Sequence, residues 1–219
     1  MADSPSKTDA ENVPSLPRPE TGGRGRGRAS TRLTVDDWID AAFELIVREG
    51  VAAVRSARLC ETLGVTKGSF YWHFSDISQL IEATAERWCA AQNDVVRGLD
   101  KIDSMPVAER LERMASILVE RTWVVEVAVR EWARTNEKVA ASVRALDRRI
   151  FKIIYDALRE LGFDTQQARI RAGALTFAGI GFVHGRDSLP TPTAAELRAM
   201  FTLFTQTQAP STSPQPDST

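Results

Sequence analysis

Leu59-Cys60-Glu61-Thr62-Leu63-Gly64-Val65-Thr66-Lys67-Gly68-Ser69-Phe70-Tyr71-Trp72-His73-Phe74 reads as two short helices joined at a steep angle by a tight turn. Leu59, Cys60 and Leu63 give the first helix, about 56–63, an inward face. Gly64 supplies a turn position where left-handed backbone is cheap. Val65 is apolar and plugs the turn. Thr66 carries the hydroxyl to cap the next helix, which reaches about His73. There Phe70 and Phe74 lie four apart and face the core, leaving Lys67, Ser69, Tyr71, Trp72 and His73 for the outside or the edges. A helix-turn-helix of this kind offers its second helix to duplex DNA, and a helix N-terminus points donors at phosphates.

Working outward, an N-terminal neighbour helix is expected over about 34–49. Ile39, Ala42, Phe43, Ile46 and Val47 follow its 3.6-residue period. Thr34 suits its N-cap, Asp36 and Asp37 suit its first turn, and Gly50 its end. These three helices make a unit of about 32–75. Further helices are expected over about 76–99, 106–124, 127–134, 137–161, 165–184 and 193–208. The Met105-Pro106 step opens one, Gly162 stops another, and Leu189-Pro190-Thr191-Pro192 separates the last two. The expected class is all-α with about nine helices. A helix-turn-helix domain is followed by a helical unit of about 76–208.

Residues 1–31 are rich in Pro, Ser, Gly and charge, with almost nothing to bury, and read as disordered. Arg24-Gly25-Arg26-Gly27-Arg28 puts a cation at every second position. That pattern suits an arm along phosphates or in a minor groove, and equally a solubilising tail. Residues 209–219 read as a second disordered tail.

The run Gly64–Phe74 resembles the recognition segment of the TetR family of bacterial regulators. That family carries Gly-Val-Ser/Thr at the start and Leu/Phe-Tyr-x-His/Tyr-Phe at the end. Leu80 takes a family leucine position, and Ala41–Ile46 with Glu49-Gly50 resemble the family's first helix, so the likeness covers about 32–80. It implies that Thr66, Lys67 and Ser69 open the recognition helix, as donors to phosphates or base edges. Tyr71 and His73 match positions that touch the sugar-phosphate backbone. Gly68 lets backbone approach the DNA, or is a tolerated helix glycine. Trp72 fills the variable position, either against sugar or a thymine methyl or as an edge packing residue. Two departures stand out. Val54-Arg55 replaces the usual hydroxyl at the start of the second helix, leaving Ser56 as the nearest cap and Arg55 or Arg58 as a charged substitute. Ile77 stands where a lysine is common. The arm, with Arg28 and Arg32 nearest the head, is placed to compensate.

One recognition helix reads few base pairs, so a homodimer on a palindromic operator is expected, with recognition helices about 34–36 Å apart. Ala172–Phe182 mixes small residues with aromatics: Gly173, Phe177, Ile180 and Gly181 suit close helix contact. Leu197, Met200, Phe201, Leu203 and Phe204 form a second apolar surface. The resemblance implies that these two helices and their copies form an intersubunit bundle; otherwise both stripes serve one subunit's interior. It also implies a small-molecule cavity among the larger helices. Trp88, Met114, Leu118, Trp123, Trp132, Phe151, Tyr155 and Phe177 are its candidate lining, each of them also a plausible core residue. An apolar or aromatic effector would suit them, with Glu120, Glu126, Arg130 and Glu131 as polar anchors.

Composition sets the outer bounds. Of 219 residues, 28 are basic and 29 acidic, for a formal net charge of -1, which argues against a chain coated in basic charge. Cys60 and Cys89 make no disulfide framework and read as small buried hydrophobes. No apolar run is long enough for a membrane span, and no export signal is visible, so a cytoplasmic location is expected. His73 has no second metal ligand spaced with it. No metal, cofactor or catalytic residues are expected; no phosphate loop or acid pair suggests an enzyme.

Overall fold

A computed structural model describes residues 16–17, 33–120, 123–185, 188–190 and 192–206. Among them are nine α-helices and no strand: α1 Val35–Glu49, α2 Ser56–Leu63, α3 Lys67–His73, α4 Ile77–Asp103, α5 Val107–Glu120, α6 Trp123–Ala133, α7 Glu137–Glu160, α8 Thr165–Gly185 and α9 Ala194–Thr205. They fall into two compact units, Met1–Gly98 with Thr122–Leu146, and Leu99–Arg121 with Asp147–Thr219.

In the first unit, α1 opens with a reciprocal cap. The Asp37 N–H donates to Thr34 Oγ1 at 3.3 Å, and the Thr34 N–H donates to Asp37 Oδ2 at 2.8 Å. Gly50 ends the helix at φ 85°, and a 3₁₀ turn over Val51–Ala53 leads to α2. Gly64 ends α2 in the left-handed region at φ 66°. The Val65 N–H then closes back on Cys60 O at 2.9 Å, satisfying a carbonyl of the last turn.

The core of this unit joins Trp38, Phe43 and Ile46 of α1 to Leu59 of α2, Phe70 of α3 and Leu80 of α4. Trp88 of α4, Val129 and Trp132 of α6 and Val139 of α7 belong to the same cluster. So α6 packs directly on α1. Two expectations change here. Leu16 is 6% exposed and is part of this core, so the N-terminal stretch does bury a side chain. Residues 1–15 and 18–32, with Arg28 and Arg32, lie outside the described residues, as does the expected C-terminal tail. And residues 125–126, where the apolar period suggests a break between helices, are helical within α6.

In the second unit α9 packs against α5 and α8. Arg110 on α5 is buried and grips Glu160 of α7, with Nη1 at 2.8 Å from Oε1 and Nη2 at 3.2 Å from Oε2. Arg171 of α8 stands 4.2 Å over the Phe163 ring and donates to Phe204 O at 2.9 Å. A second reciprocal cap, Thr193 with Glu196, starts α9.

Candidate nucleic-acid interface

The recognition segment is built from the inside out. Phe70 is fully buried and Phe74 nearly so, their rings 5.8 Å apart and 30° from parallel. Leu59 is fully buried, while Leu63 and Val65 are half-buried against the same core. Anchoring four-apart phenylalanines turns the rest of α3 outward. Thr66, Lys67 and Gly68 are exposed at its start, and Ser69 and His73 are half-buried at its edges. Tyr71 is exposed, and Trp72 is 66% exposed, its indole edge-on to His73 at 5.3 Å. An indole so exposed on a seven-residue helix adds little to the interior.

Capping differs from expectation on both helices. Thr66 occupies the N-cap position of α3 with extended backbone, but its hydroxyl makes no capping bond. That hydroxyl is thus not committed to the helix end. Arg55, not Ser56, is the N-cap residue of α2; Ser56 is the first helical residue, and no side chain caps the end. Arg55 is exposed. Arg58 is also exposed and pairs at the surface with Glu49, its Nη2 3.0 Å from Oε1. Ile77 is half-buried on the core, so no cation stands at that position after the recognition helix. Gly68 faces open surroundings: a Cβ there would meet only Thr66 Oγ1, at 3.7 Å. Internal packing therefore does not call for glycine at 68.

Beneath the helix, Cys60 is buried in the core. Burial pushes its thiol pKa up, with Lys67 pulling weakly the other way.

The effector candidates are distributed over both units. Trp88 and Trp132 are core residues of the unit that holds the recognition helix. Met114 is buried in the other unit, where Phe151 and Tyr155 stack at 6.2 Å and 10°. Phe177 is 73% exposed, so it lines no interior of its own unit. The side chains of Leu118, Glu120 and Trp123 lie outside the described residues. Glu126 and Arg130 pair within α6 at 2.8 Å, largely out of solvent, while Glu131 is exposed.

Of the candidate interface residues, Phe177 and Gly181 are exposed, and Gly173, Ile180, Met200 and Phe204 are partly so. Leu197 and Phe201 are instead buried within their unit, because that face of α9 packs inward. Leu203 of the same apolar surface is exposed, and so is Ile170, which lies outside the candidate set. Ile170 lies seven residues before Phe177, a spacing that marks one helix face.

Comparison with known proteins agrees with this geometry. Residues 39–84 match the family model described as bacterial regulatory proteins, tetR family. The HTH-type transcriptional regulator TtgR of Pseudomonas putida is 30% identical over 80 residues, 36% of this chain and 38% of that protein. The class A tetracycline repressor protein from transposon 1721 of Escherichia coli is 37% identical over 60 residues, 27% of this chain and 28% of that one. The matched region thus spans well under half of these curated relatives. Among solved structures, a transcriptional regulator of Saccharomonospora viridis in complex with choline superposes with a TM-score of 0.57 and 20% identity, covering 76% of this chain and 92% of that one. Mycobacterium smegmatis AmtR superposes with a TM-score of 0.52 and 19% identity, covering 84% and 92%. At such identities the two superpositions speak for the fold alone. No described helix is long and apolar enough to cross a membrane.

Proposed function

We propose that this chain, whose residues 39–84 match the tetR family model, is a homodimeric, ligand-responsive transcriptional repressor of a palindromic operator. The observation that carries this is α3: two buried phenylalanines hold the helix while Lys67, Tyr71 and Trp72 stand in solvent. Such a helix is a reading head with no interior task. Lys67 binds phosphate or guanine, Thr66 and Ser69 add hydroxyl contacts, and Tyr71 and His73 grip the backbone. Arg28, Arg32, Arg55 and Ser56 add phosphate contacts around the head.

Dimerisation is supported by the exposed Ile170–Phe177 face of α8, which a second copy would cover. The effector is a small apolar or aromatic molecule, consistent with the chain's five tryptophans. It would act by favouring a head spacing that no longer fits adjacent grooves, and DNA would weaken its binding by the same factor. No cofactor or metal enters this account, and the site of action is the cytoplasm.

The test is DNA binding by the full chain. Duplexes from upstream of its own gene are titrated with competitor DNA present and across a salt series. Sequence-specific binding at a two-fold symmetric site supports the reading. Salt-sensitive binding without sequence preference rejects it. Replacing Arg24, Arg26 and Arg28 with serine tests the arm without removing the buried Leu16. An unchanged salt slope would exclude arm contacts.

A further inference from the structure

Outside the recognition helix, Arg87 of α4 is a tightly held charged group of the first unit. Its Nη1 donates to Asp36 Oδ1 at 2.6 Å. Its Nη2 donates to Asp36 O at 3.0 Å and to Asp40 Oδ1 at 2.8 Å. The side chain is 8% exposed, and its Nε is buried with no hydrogen-bond partner among the described residues. A cation held this far from water depends on both carboxylates, and any slide of α4 along α1 would unpair it.

The two aspartates lie one turn apart on one face of α1. Trp38, two residues after Asp36, points about 200° round the helix from it. It is fully buried, and its indole meets Phe70 of α3 edge-on at 5.4 Å. Thus α1 is gripped from two sides. An ion cluster fastens α4 to one face, and ring packing fastens the recognition helix to the other. Apolar packing alone tolerates small sliding, because it has no direction. A forked guanidinium between two carboxylates and a carbonyl does not, because its donors lie in one plane with fixed angles.

We infer that Arg87 is a positioning residue for DNA recognition: through Asp36, Asp40 and α1 it sets the angle at which the recognition helix stands to α4. The inference rests on the DNA-binding, two-headed reading above. Under it, the Arg87 clamp governs how well two heads fit two half-sites together, rather than how well one head fits one.

The experiment compares wild type with Arg87→Met and Arg87→Lys. The duplexes are one selected by wild type from a random library, its isolated half-site, and versions with one or two base pairs inserted between half-sites. Circular dichroism and thermal melting report folding. For Arg87→Met the expected result is unchanged half-site affinity. Affinity for the intact site falls about tenfold, within the usual range of coupling between sites, and the preference for one spacing flattens. Arg87→Lys, which keeps the charge but not the fork, falls between the two. If Arg87→Met does not fold, the ratio of intact-site to half-site affinity is read on Arg87→Lys and Asp40→Asn. A folded variant with the wild-type ratio overturns the inference alone. So does equal loss on both duplexes, which marks a purely structural clamp. A wild type that selects no duplex, or shows no spacing preference, overturns the underlying reading and this inference with it.

Discussion

The indole of Trp38 meets the ring of Phe70 edge-on, with centroids 5.4 Å apart and planes 77° from parallel. Both side chains are fully buried. This contact ties the recognition helix to the first helix of the chain, and α3 is too short to hold itself helical in water. Phe70→Ala should cost about 3–5 kcal/mol through lost burial and the cavity left behind. Urea unfolding followed by tryptophan fluorescence measures it. A loss under about 1 kcal/mol would mean that α3 is held by something other than this core.

The exposed residues of α3 should separate affinity from specificity. Lys67→Ala should weaken binding to all duplexes alike and reduce the salt slope by about one phosphate contact. Trp72→Ala should leave stability within about 0.5 kcal/mol, because the indole is largely in solvent. Under the base-contact reading it changes the preferred base at one position. Selection from a random duplex library distinguishes the two, and an identical selected site for Trp72→Ala would assign that residue to backbone or edge packing.

Gly68 has two readings that one substitution resolves. Nothing inside the protein opposes a methyl group there, so Gly68→Ala should hold or raise stability, by up to about 1 kcal/mol. If the backbone approaches DNA at this point, the same variant loses operator affinity. Gly64→Ala is the contrast: at φ 66° it should cost about 1–2 kcal/mol regardless of DNA. Melting curves and anisotropy titrations on the two variants check both statements.

Phe177→Glu should convert the proposed dimer into monomer. The side chain is exposed in the single chain, so the variant should fold normally. Sedimentation equilibrium reads the assembly state. A dimer as tight as wild type would place the interface elsewhere.

Stability should depend on pH through Cys60. Its thiol pKa is raised, chiefly by burial and with Lys67 opposing. The folded protein therefore favours the protonated thiol. The associated stability is fully present below the unfolded thiol value, about 8.5, and is lost as pH rises through the folded value. Relative to Cys60→Val, wild type should lose stability between neutral pH and pH 10. Parallel stability curves for the two proteins would contradict the assignment.

Much of the head is legible in sequence because its signals are local. Thr34 with Asp37, Gly64, and the four-residue spacing of Phe70 and Phe74 each act within one or two turns of chain. The helical state of residues 125–126 is hard to foresee because the run from 119 to 133 contains no glycine or proline to place a helix boundary. Leu16 escapes notice because one leucine in a polar stretch has no period. Leu197 and Phe201 look like an outward surface because an apolar stripe does not say which of two neighbours it meets.

By itself, then, the sequence determined that this protein is helical, that residues 67–73 form the second helix of a helix-turn-helix, and which of its side chains face in. Those facts depend on backbone propensity and on periodicity, which are properties of neighbours in the chain. Only the tertiary structure decided that Arg87 reaches back to Asp36 and Asp40, that Arg58 is engaged by Glu49, and that Trp132 shares a core with Trp38. The first of these contacts joins residues 51 and 47 positions apart. No local rule selects such a partner. It is chosen by whichever packing leaves the fewest buried charges without an opposite.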